Sequence, residues 1–406
     1  MEFKEVREGL VKILVPKLEM YKRPDGVLEP AWLPIFYNPR MRFNRDISVL
    51  AISAYLKLYN PRRKVLLEPL AGTGVRGLRY SAEVEGIDIV IINDVDPEAY
   101  KLMKLNTAIN AGVLGARVKI YNMDANLLME ELKHGGLEEY PYIIDIDPFG
   151  SPAPFLESAL RLIPNRGLLV VTATDTAPLT GSHYRAAKRK YGVEIYRTPI
   201  GKEIAVRVLS GYVIRRAATY EKATIPLLVY YADHYVRGFF LVERGARKTD
   251  KILEKLGYIA YCNYCQNTAI LKSYPVVKEK PLCSFCGNSM LVLGPVFTGT
   301  LCSKEFVEGI KNIYSEYSAY SYLTEPKRVA KYLGYWLSEC SIEHPYRRID
   351  MVSKYLGVNM PSPRTVVDKI KSMGFEASLT HLDPRGVKTN CPISVFYDVI
   401  RRLHYS

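Results

Sequence analysis

Residues Val65 to Arg79 read VLLEPLAGTGVRGLR: an apolar strand, an acidic residue at its end, a glycine-rich turn and the start of a helix. Gly72 and Gly74 let the backbone pass close to a ligand, and the helix that follows offers unpaired amides at its N-terminus. Taken alone, such a turn serves equally a dinucleotide fold gripping a pyrophosphate or a tight turn with no ligand. The surrounding sequence has to decide.

Working outward, five short apolar runs follow one another: Lys64–Glu68, Ile87–Asp94, Val118–Asn122, Tyr142–Asp147 and Gly167–Thr172. Each is continuous rather than alternating, as strands buried on both faces of a parallel sheet are. Between them, Pro97–Gly112 and Ala153–Ile163 have a proline at or just before the start and apolar residues near helical spacing. The pattern predicts a doubly wound, Rossmann-like α/β domain.

Acidic residues fall at the ends of these strands. Asp94 closes the second strand, where a carboxylate accepts both ribose hydroxyls of a nucleoside, and Asp96 can exchange roles with it. Asp124 with Ala125 follows the third strand, where a carboxylate and a backbone amide bracket an adenine edge. A nicotinamide site shares the first two features and has no need of the third. An isolated Asp after a strand is otherwise a turn residue or a helix cap.

The fourth strand ends in DIDPFGSP, residues 145–152. This resembles the Asp/Asn-Pro-Pro-aromatic motif of methyltransferases that modify exocyclic amines. Such an amine has its lone pair delocalised into the ring, so acceptors must bind its N–H groups before it attacks a methyl donor. Asp147 supplies one acceptor, the carbonyl of Pro148 or Phe149 another, and the Phe149 ring a stacking face for a base. The plainer alternative is a strand end made by Pro148 and Gly150 with Phe149 in the core.

With FYNPRMRFNRD at residues 36–46, EPLAGTGVRGLRY and DIDPFGSP together, the chain resembles the tRNA (guanine-26-N2)-dimethyltransferase family over essentially its whole length. The resemblance implies a class I methyltransferase domain, S-adenosylmethionine as cofactor, and transfer of one or two methyl groups to N2 of guanine-26 in tRNA. It implies that Arg45 and Arg76 meet the methionine carboxylate, Asp94 the ribose, and Asp124 with Ala125 the adenine. Asp147 becomes the catalytic acceptor, and Phe36 and Phe149 stack the guanine. The cofactor loop departs from the family at Ala71, which replaces its first glycine, and at Glu68, which replaces an Asp.

Cys262 and Cys265, then Cys283 and Cys286, form two Cys-x-x-Cys pairs with 17 residues between them. That spacing suits a structural Zn2+ held by four thiolates in two tight turns. Cys302, Cys340 and Cys391 are left as ordinary core candidates.

At 406 residues the chain has room for two domains. The reading sets a methyltransferase domain at 1–225 and a tRNA-binding α+β domain at 226–406, with a zinc-ribbon-like insert at about 258–290. Helix-like runs Ser303–Tyr322 and Lys327–Glu339 follow, and the end, with helix Arg364–Met373 and strand Glu376–Thr380, resembles a winged helix. The absence of a long apolar run predicts no membrane span and a cytoplasmic protein; nothing demands more than a monomer. A net charge of +14 favours a polyanionic partner and is equally a feature of thermally stable surfaces. Arg185, Lys188, Arg189 and Lys190 contact phosphates or form a solvated helix face. The competing functions are an amino-methyltransferase for another RNA or a DNA base, and an inactive zinc-containing nucleic-acid binder.

Overall fold

Continuous runs of Val, Leu and Ile form the central strands because helices cover a parallel sheet on both faces, leaving no side for polar residues. The structure is a computed structural model that describes residues 2–405 except Arg23, 27–31, Glu138, 273–279 and 319–321. The middle of the expected zinc-ribbon insert and the end of the expected helix Ser303–Tyr322 lie outside the described residues. Two compact units divide the chain: Met1–Thr172 with Glu308–Lys331, and Ala173–Val307 with Tyr332–Ser406.

The first unit begins with β1 (Phe3–Glu8) and β2 (Val11–Pro16), then α1 (Arg42–Tyr59), β3 (Val65–Glu68), α2 (Val75–Glu83), β4 (Ile89–Asn93) and α3 (Pro97–Ile109). It continues through β5 (Arg117–Tyr121), α4 (Ala125–His134), β6 (Ile143–Ile146), α5 (Ala153–Leu162) and β7 (Leu168–Ala173). The five expected strands are β3 to β7, running parallel in the order β5-β4-β3-β6-β7. The order reverses between β3 and β6, which opens a crevice at their carboxyl ends, where open α/β sheets bind ligands.

The β1–β2 hairpin is held by side chains from α3 and its C-cap, Asn110. Asn106 Oδ1 accepts from Leu14 N at 2.8 Å, Asn110 Oδ1 accepts from Lys12 N at 2.9 Å, and both amides donate back to the carbonyls of the same two residues. One turn apart on the helix, the two asparagines satisfy the edge of β2 as a further strand does. Beneath, Arg79 is fully buried and binds Glu8 at 3.2 Å, Asp46 at 2.8 Å and Glu83 at 2.8 Å. Burial opposes the charge on Glu8, but Arg45, with Arg79 and Arg42, brings its carboxyl down to about 2.

The second unit holds α6 (Thr176–Leu179), α7 (Tyr184–Tyr191), α8 (Gly201–Ala218), the antiparallel hairpin β8 (Lys222–Ala232) and β9 (Tyr235–Arg244), and α9 (Ala246–Leu253). A three-stranded antiparallel sheet follows, β10 (Leu256–Tyr261), β11 (Thr268–Leu271) and β12 (Leu291–Phe297), with β10 central. The division expected near residue 225 therefore falls inside β8.

Next come α10 (Lys304–Ser318) and α11 (Pro326–Glu339), across which the chain passes into the first unit and out again. There, Asp46 Oδ2 accepts from Thr324 N at 2.9 Å, its hydroxyl at 2.8 Å and Glu325 N at 2.8 Å. The end of the chain runs β13 (Arg347–Arg348), α12 (Ile349–Leu356), α13 (Pro363–Ser372), β14 (Ala377–Leu379), β15 (Gly386–Thr389) and α14 (Ile393–Tyr405). Helix α13 and strand β14 fall at Arg364–Met373 and Glu376–Thr380 of the sequence reading, and β14 and β15 form a hairpin after α13.

The three cysteines read as core candidates are all buried, and two of them are also paired. Cys302 and Cys340 are bonded to one another as a disulfide, and of the three cysteines outside the Cys-x-x-Cys pairs only Cys391 is a free buried thiol. The two are 38 residues apart, and a pairing between separate elements leaves no local signature in sequence.

Candidate active site

The glycine turn after β3 is fixed from several sides. Asp94 Oδ2 accepts from Gly72 N at 2.8 Å and its Oδ1 from Asp96 N at 3.0 Å. Burial raises the Asp94 pKa above the usual carboxylate range. Asn93 reaches in both directions, donating to the carbonyls of Pro69 and Met123 and accepting from Met123 N, all at 3.0 Å, so one buried amide ties the ends of three segments together. Asn106 of α3 donates to the Thr73 carbonyl at 2.9 Å.

Gly72 adopts φ +55°, and a Cβ there would lie 2.9 Å from the Phe36 carbonyl oxygen. Gly74, at φ +76°, caps α2. The turn is thus bare backbone with a fixed shape, as close approach to a ligand requires. Within it Thr73 Oγ1 is buried with no partner among the described residues, and so is the nearby Asn44 Nδ2 of α1. Buried polar groups of this kind are ordinarily satisfied. Asp124 caps α4, its Oδ1 accepting from Asn126 N at 2.9 Å and Leu127 N at 3.1 Å, and Ala125 is buried behind it.

Arg76 points from α2 into an acidic cluster. Its Nη2 donates to Asp147 Oδ2, its Nη1 donates to Asn44 Oδ1 at 2.7 Å and Ser48 Oγ at 3.2 Å, and its Nε lies 3.5 Å from Glu68 Oε1. Asp145, fully buried, accepts from the Tyr80 hydroxyl at 2.6 Å and lies 3.8 Å from Arg76. Three carboxylates thus converge on one guanidinium. Burial pushes Glu68 up to about 8, with Arg76 opposing and Asp145 and Asp147 adding to the rise. Arg45 is likewise engaged, with Glu8 and with the Asn38 carbonyl at 3.1 Å.

The structure places both arginines, which were expected at the methionine carboxylate, against carboxylates of the protein. Both guanidiniums are nearly buried and bind protein carboxylates, because a charge taken out of water needs its counter-charge close by. Asn44, Ser48, Asn93 and Asn106 were not expected at the site. Asn44 does fall inside the FYNPRMRFNRD block, whereas Asn106 carries no signal that ties it to a loop 33 residues earlier.

Phe149, two residues beyond Asp147, is 71% exposed, and Phe36 is 42% exposed. Their rings meet edge to face with centroids 6.1 Å apart. Two large apolar rings open to solvent beside the Asp147 turn make a surface suited to a flat, aromatic substrate.

The four Cys-x-x-Cys sulfurs lie within 4.8 Å of one another, with Cys262–Cys286 and Cys265–Cys283 both at 3.5 Å. A tetrahedral zinc ion with bonds of about 2.3 Å spaces its sulfurs by roughly 3.8 Å, so the set fits. Each pair sits in the same turn: Cys262 N donates to the Asn267 carbonyl and Gln266 N to the Cys262 carbonyl, and Cys283 N donates to Asn288 O and Gly287 N to Cys283 O. Gln266 at φ +64° and Gly287 at φ +74° occupy matching positions in the two turns.

Fold and site together define a class I methyltransferase. Over residues 9–401 the chain matches the family described as N2,N2-dimethylguanosine tRNA methyltransferase, and it belongs to that family. It is 37% identical to the tRNA (guanine(26)-N(2))-dimethyltransferase of Sulfurisphaera tokodaii, covering 99% of this chain and 100% of that one. It is 38% identical to the enzyme of the same name from Saccharolobus solfataricus, over 96% of each chain. Among solved structures it is similar to Trm1 from Pyrococcus horikoshii in complex with S-adenosyl-L-methionine, with a TM-score of 0.82, 34% identity, and coverage of 98% and 99% of the two chains. Among the described residues no helix is long and apolar enough to cross a membrane.

Proposed function

We propose that this protein transfers one or two methyl groups from S-adenosylmethionine to the exocyclic N2 of guanine-26 in tRNA, acting in the cytoplasm. Family membership supports the substrate. The observation that carries the chemistry is Asp147, at the carboxyl edge of the sheet, gripped by a buried arginine and followed by the exposed ring of Phe149.

S-adenosylmethionine supplies a methyl group on a sulfonium, which needs only a competent nucleophile. Guanine N2 becomes one when its N–H groups are taken by acceptors, since this localises the lone pair. Asp147 accepts one N–H with the capacity that Arg76 leaves free, and the Pro148 or Phe149 carbonyl accepts the other. The methylated amine is strongly acidic until it loses its proton, and Asp147 receives that proton. Phe149 and Phe36 hold the base, which must leave any pairing partner for N2 to be reached.

For the cofactor, Gly72 and Gly74 give close backbone, Glu68 closes the strand beneath the turn, Asp94 receives the ribose hydroxyls, and Asp124 with Ala125 receives the adenine edge. Arg76 and Arg45 act as positioning residues for Asp147 and Glu8. Cys262, Cys265, Cys283 and Cys286 hold a structural zinc ion with no open coordination position.

The test is methyl transfer from labelled S-adenosylmethionine to unmodified tRNA transcripts that carry guanine or adenine at position 26, followed by nucleoside analysis. Formation of N2-methylated guanosine only in the guanine transcript supports the reading. Cofactor binding without transfer moves the substrate to another nucleic acid, and no cofactor binding removes the methyltransferase assignment.

A further inference from the structure

The basic run of α7 plays no part in the chemistry above, and it borders a groove in the second unit. Lys188, Gly192, Glu194, Tyr196, Tyr258, Lys280, Leu291 and Gly294 are among the residues lining it, and its volume is about 930 Å³. That is near the upper end of the roughly 300–1,000 Å³ of small-ligand sites, and this groove is half open, so a chain fits it better than an enclosed small molecule.

Its walls are stiff. Glu194 N donates to the Gly294 carbonyl at 2.7 Å and Gly294 N returns to Glu194 O at 2.9 Å, which joins the segment after α7 to β12. Arg215 reinforces the joint, donating to the Tyr191 carbonyl at 2.6 Å and to the Pro295 carbonyl at 3.1 Å. Gly181, at φ +84°, allows the Tyr196 backbone to pack so closely that a Cβ there would lie 2.4 Å from it.

The charge on and beside α7 is largely basic. Arg185, Lys188, Arg189, Arg197 and Lys280 are all exposed, Lys188 and Lys280 line the groove, and Glu194, the one acid among its described lining residues, pairs with Lys188 at 2.7 Å. Two exposed aromatics are interleaved with them: the Tyr184 and Tyr196 rings lie 6.1 Å apart, and the Arg185 guanidinium sits 5.7 Å over Tyr184. Guanidiniums serve phosphates, and exposed tyrosine faces serve bases. An acidic peptide would use the charges and leave the rings without a partner.

We infer that this groove between α7 and the four-cysteine sheet seats a sugar–phosphate segment of the tRNA other than the target nucleotide. Arg185, Arg189 and Arg197 contact phosphates, and Tyr196 stacks a base. The inference rests on the tRNA reading above, and the experiment separates the two.

The triple variant Arg185→Gln, Arg189→Gln, Arg197→Gln and the single variant Tyr196→Ala change only exposed side chains. Affinity for an unmodified tRNA transcript is measured by filter binding over a range of salt, with S-adenosylmethionine affinity measured by calorimetry on the same samples. The triple variant should bind tRNA at least about tenfold more weakly and lose about 2 to 3 from the slope of log affinity against log salt, since each phosphate contact contributes about 0.7 to 0.9. Tyr196→Ala should weaken binding about five- to a hundredfold with the slope unchanged, because stacking releases no counterions. Cofactor affinity and kcat at saturating tRNA should stay within twofold of wild type for both. If wild type binds tRNA and both variants bind it equally well with the same slope, the groove is not a tRNA site. Unchanged tRNA binding together with loss of polyglutamate binding would give the groove to an acidic protein instead and overturn the inference. A wild-type protein that binds no tRNA at all removes the function reading before any variant is made, and the groove assignment with it.

Discussion

The Arg76 guanidinium joins Asp147 to Asn44: Nη2 donates to the Asp147 carboxylate while Nη1 donates to Asn44 Oδ1 at 2.7 Å. A residue near the start of α2 thereby sets the direction of a carboxylate at the end of β6. Replacing Asp147 with Asn keeps the shape and one acceptor for Arg76 but removes the group that receives a proton. We expect Asp147→Asn to lower kcat by about 10²- to 10⁴-fold, the range for a positioned acid–base group, with S-adenosylmethionine affinity within twofold. Equal loss of cofactor binding by calorimetry would move Asp147 into the cofactor site.

The ring pair makes a separate prediction. Phe149 is mostly exposed, so truncating it leaves no core cavity, and its loss is felt by the substrate alone. Phe149→Ala should raise the KM for tRNA by about five- to a hundredfold, matching roughly 1–3 kcal/mol for one stacked base, with the melting temperature unchanged. Phe36→Ala should behave similarly but less strongly, being less exposed. Steady-state kinetics with an unaffected KM for both variants would leave the rings without a role in holding the base.

Much of this architecture was legible because burial on both faces writes itself into sequence. Strands β3, β4, β6 and β7 stand out as largely apolar runs, the edge strand β5 less so, and DIDPFGSP and the glycine turn mark the edge where the site forms. The β1–β2 hairpin was not legible: its first strand, FKEVRE, is mostly exposed and charged, and its second is completed by Asn106 and Asn110 about a hundred residues on. The carboxylate partners of the two arginines were not legible for a related reason. The sequence shows that Arg45 and Arg76 are near the site but not that Glu8 and Asp147 are within reach, because those pairs are 37 and 71 residues apart. Both Cys-x-x-Cys pairs were read directly, since a knuckle is local, whereas the Cys302–Cys340 bond is not.

Glu68 gives the site a pH signature. Its carboxyl is raised to about 8 chiefly by burial, so the folded protein holds this proton more tightly than the unfolded chain does. That contribution to stability is complete below the unfolded value near 4.5, declines as pH rises, and is gone once pH passes about 8. Glu68→Gln still accepts from Gly77 N through its amide oxygen and carries no titrating group. Thermal melts between pH 6 and 9 should therefore fall more steeply for wild type than for Glu68→Gln. Parallel curves would mean that Glu68 is ionised throughout, with Arg76 outweighing its burial.

The cysteine cluster predicts how the second unit fails. Structural zinc in finger peptides contributes an apparent ~10–16 kcal/mol near neutral pH, comparable with the whole stability of a domain at about 5–15 kcal/mol. Removing the ion should unfold the β10–β12 module outright rather than loosen it. The purified protein should hold one zinc per chain by atomic absorption, and Cys283→Ser should hold less than a tenth of that. A strong chelator should expose the segment from Cys262 to Cys286 to protease and abolish tRNA binding, while S-adenosylmethionine binding persists, since the residues proposed for the cofactor, Gly72, Asp94 and Asp124, belong to the first unit. Zinc-free protein with wild-type protease resistance would show that the four thiols pack without a metal, as a buried cluster of small apolar side chains.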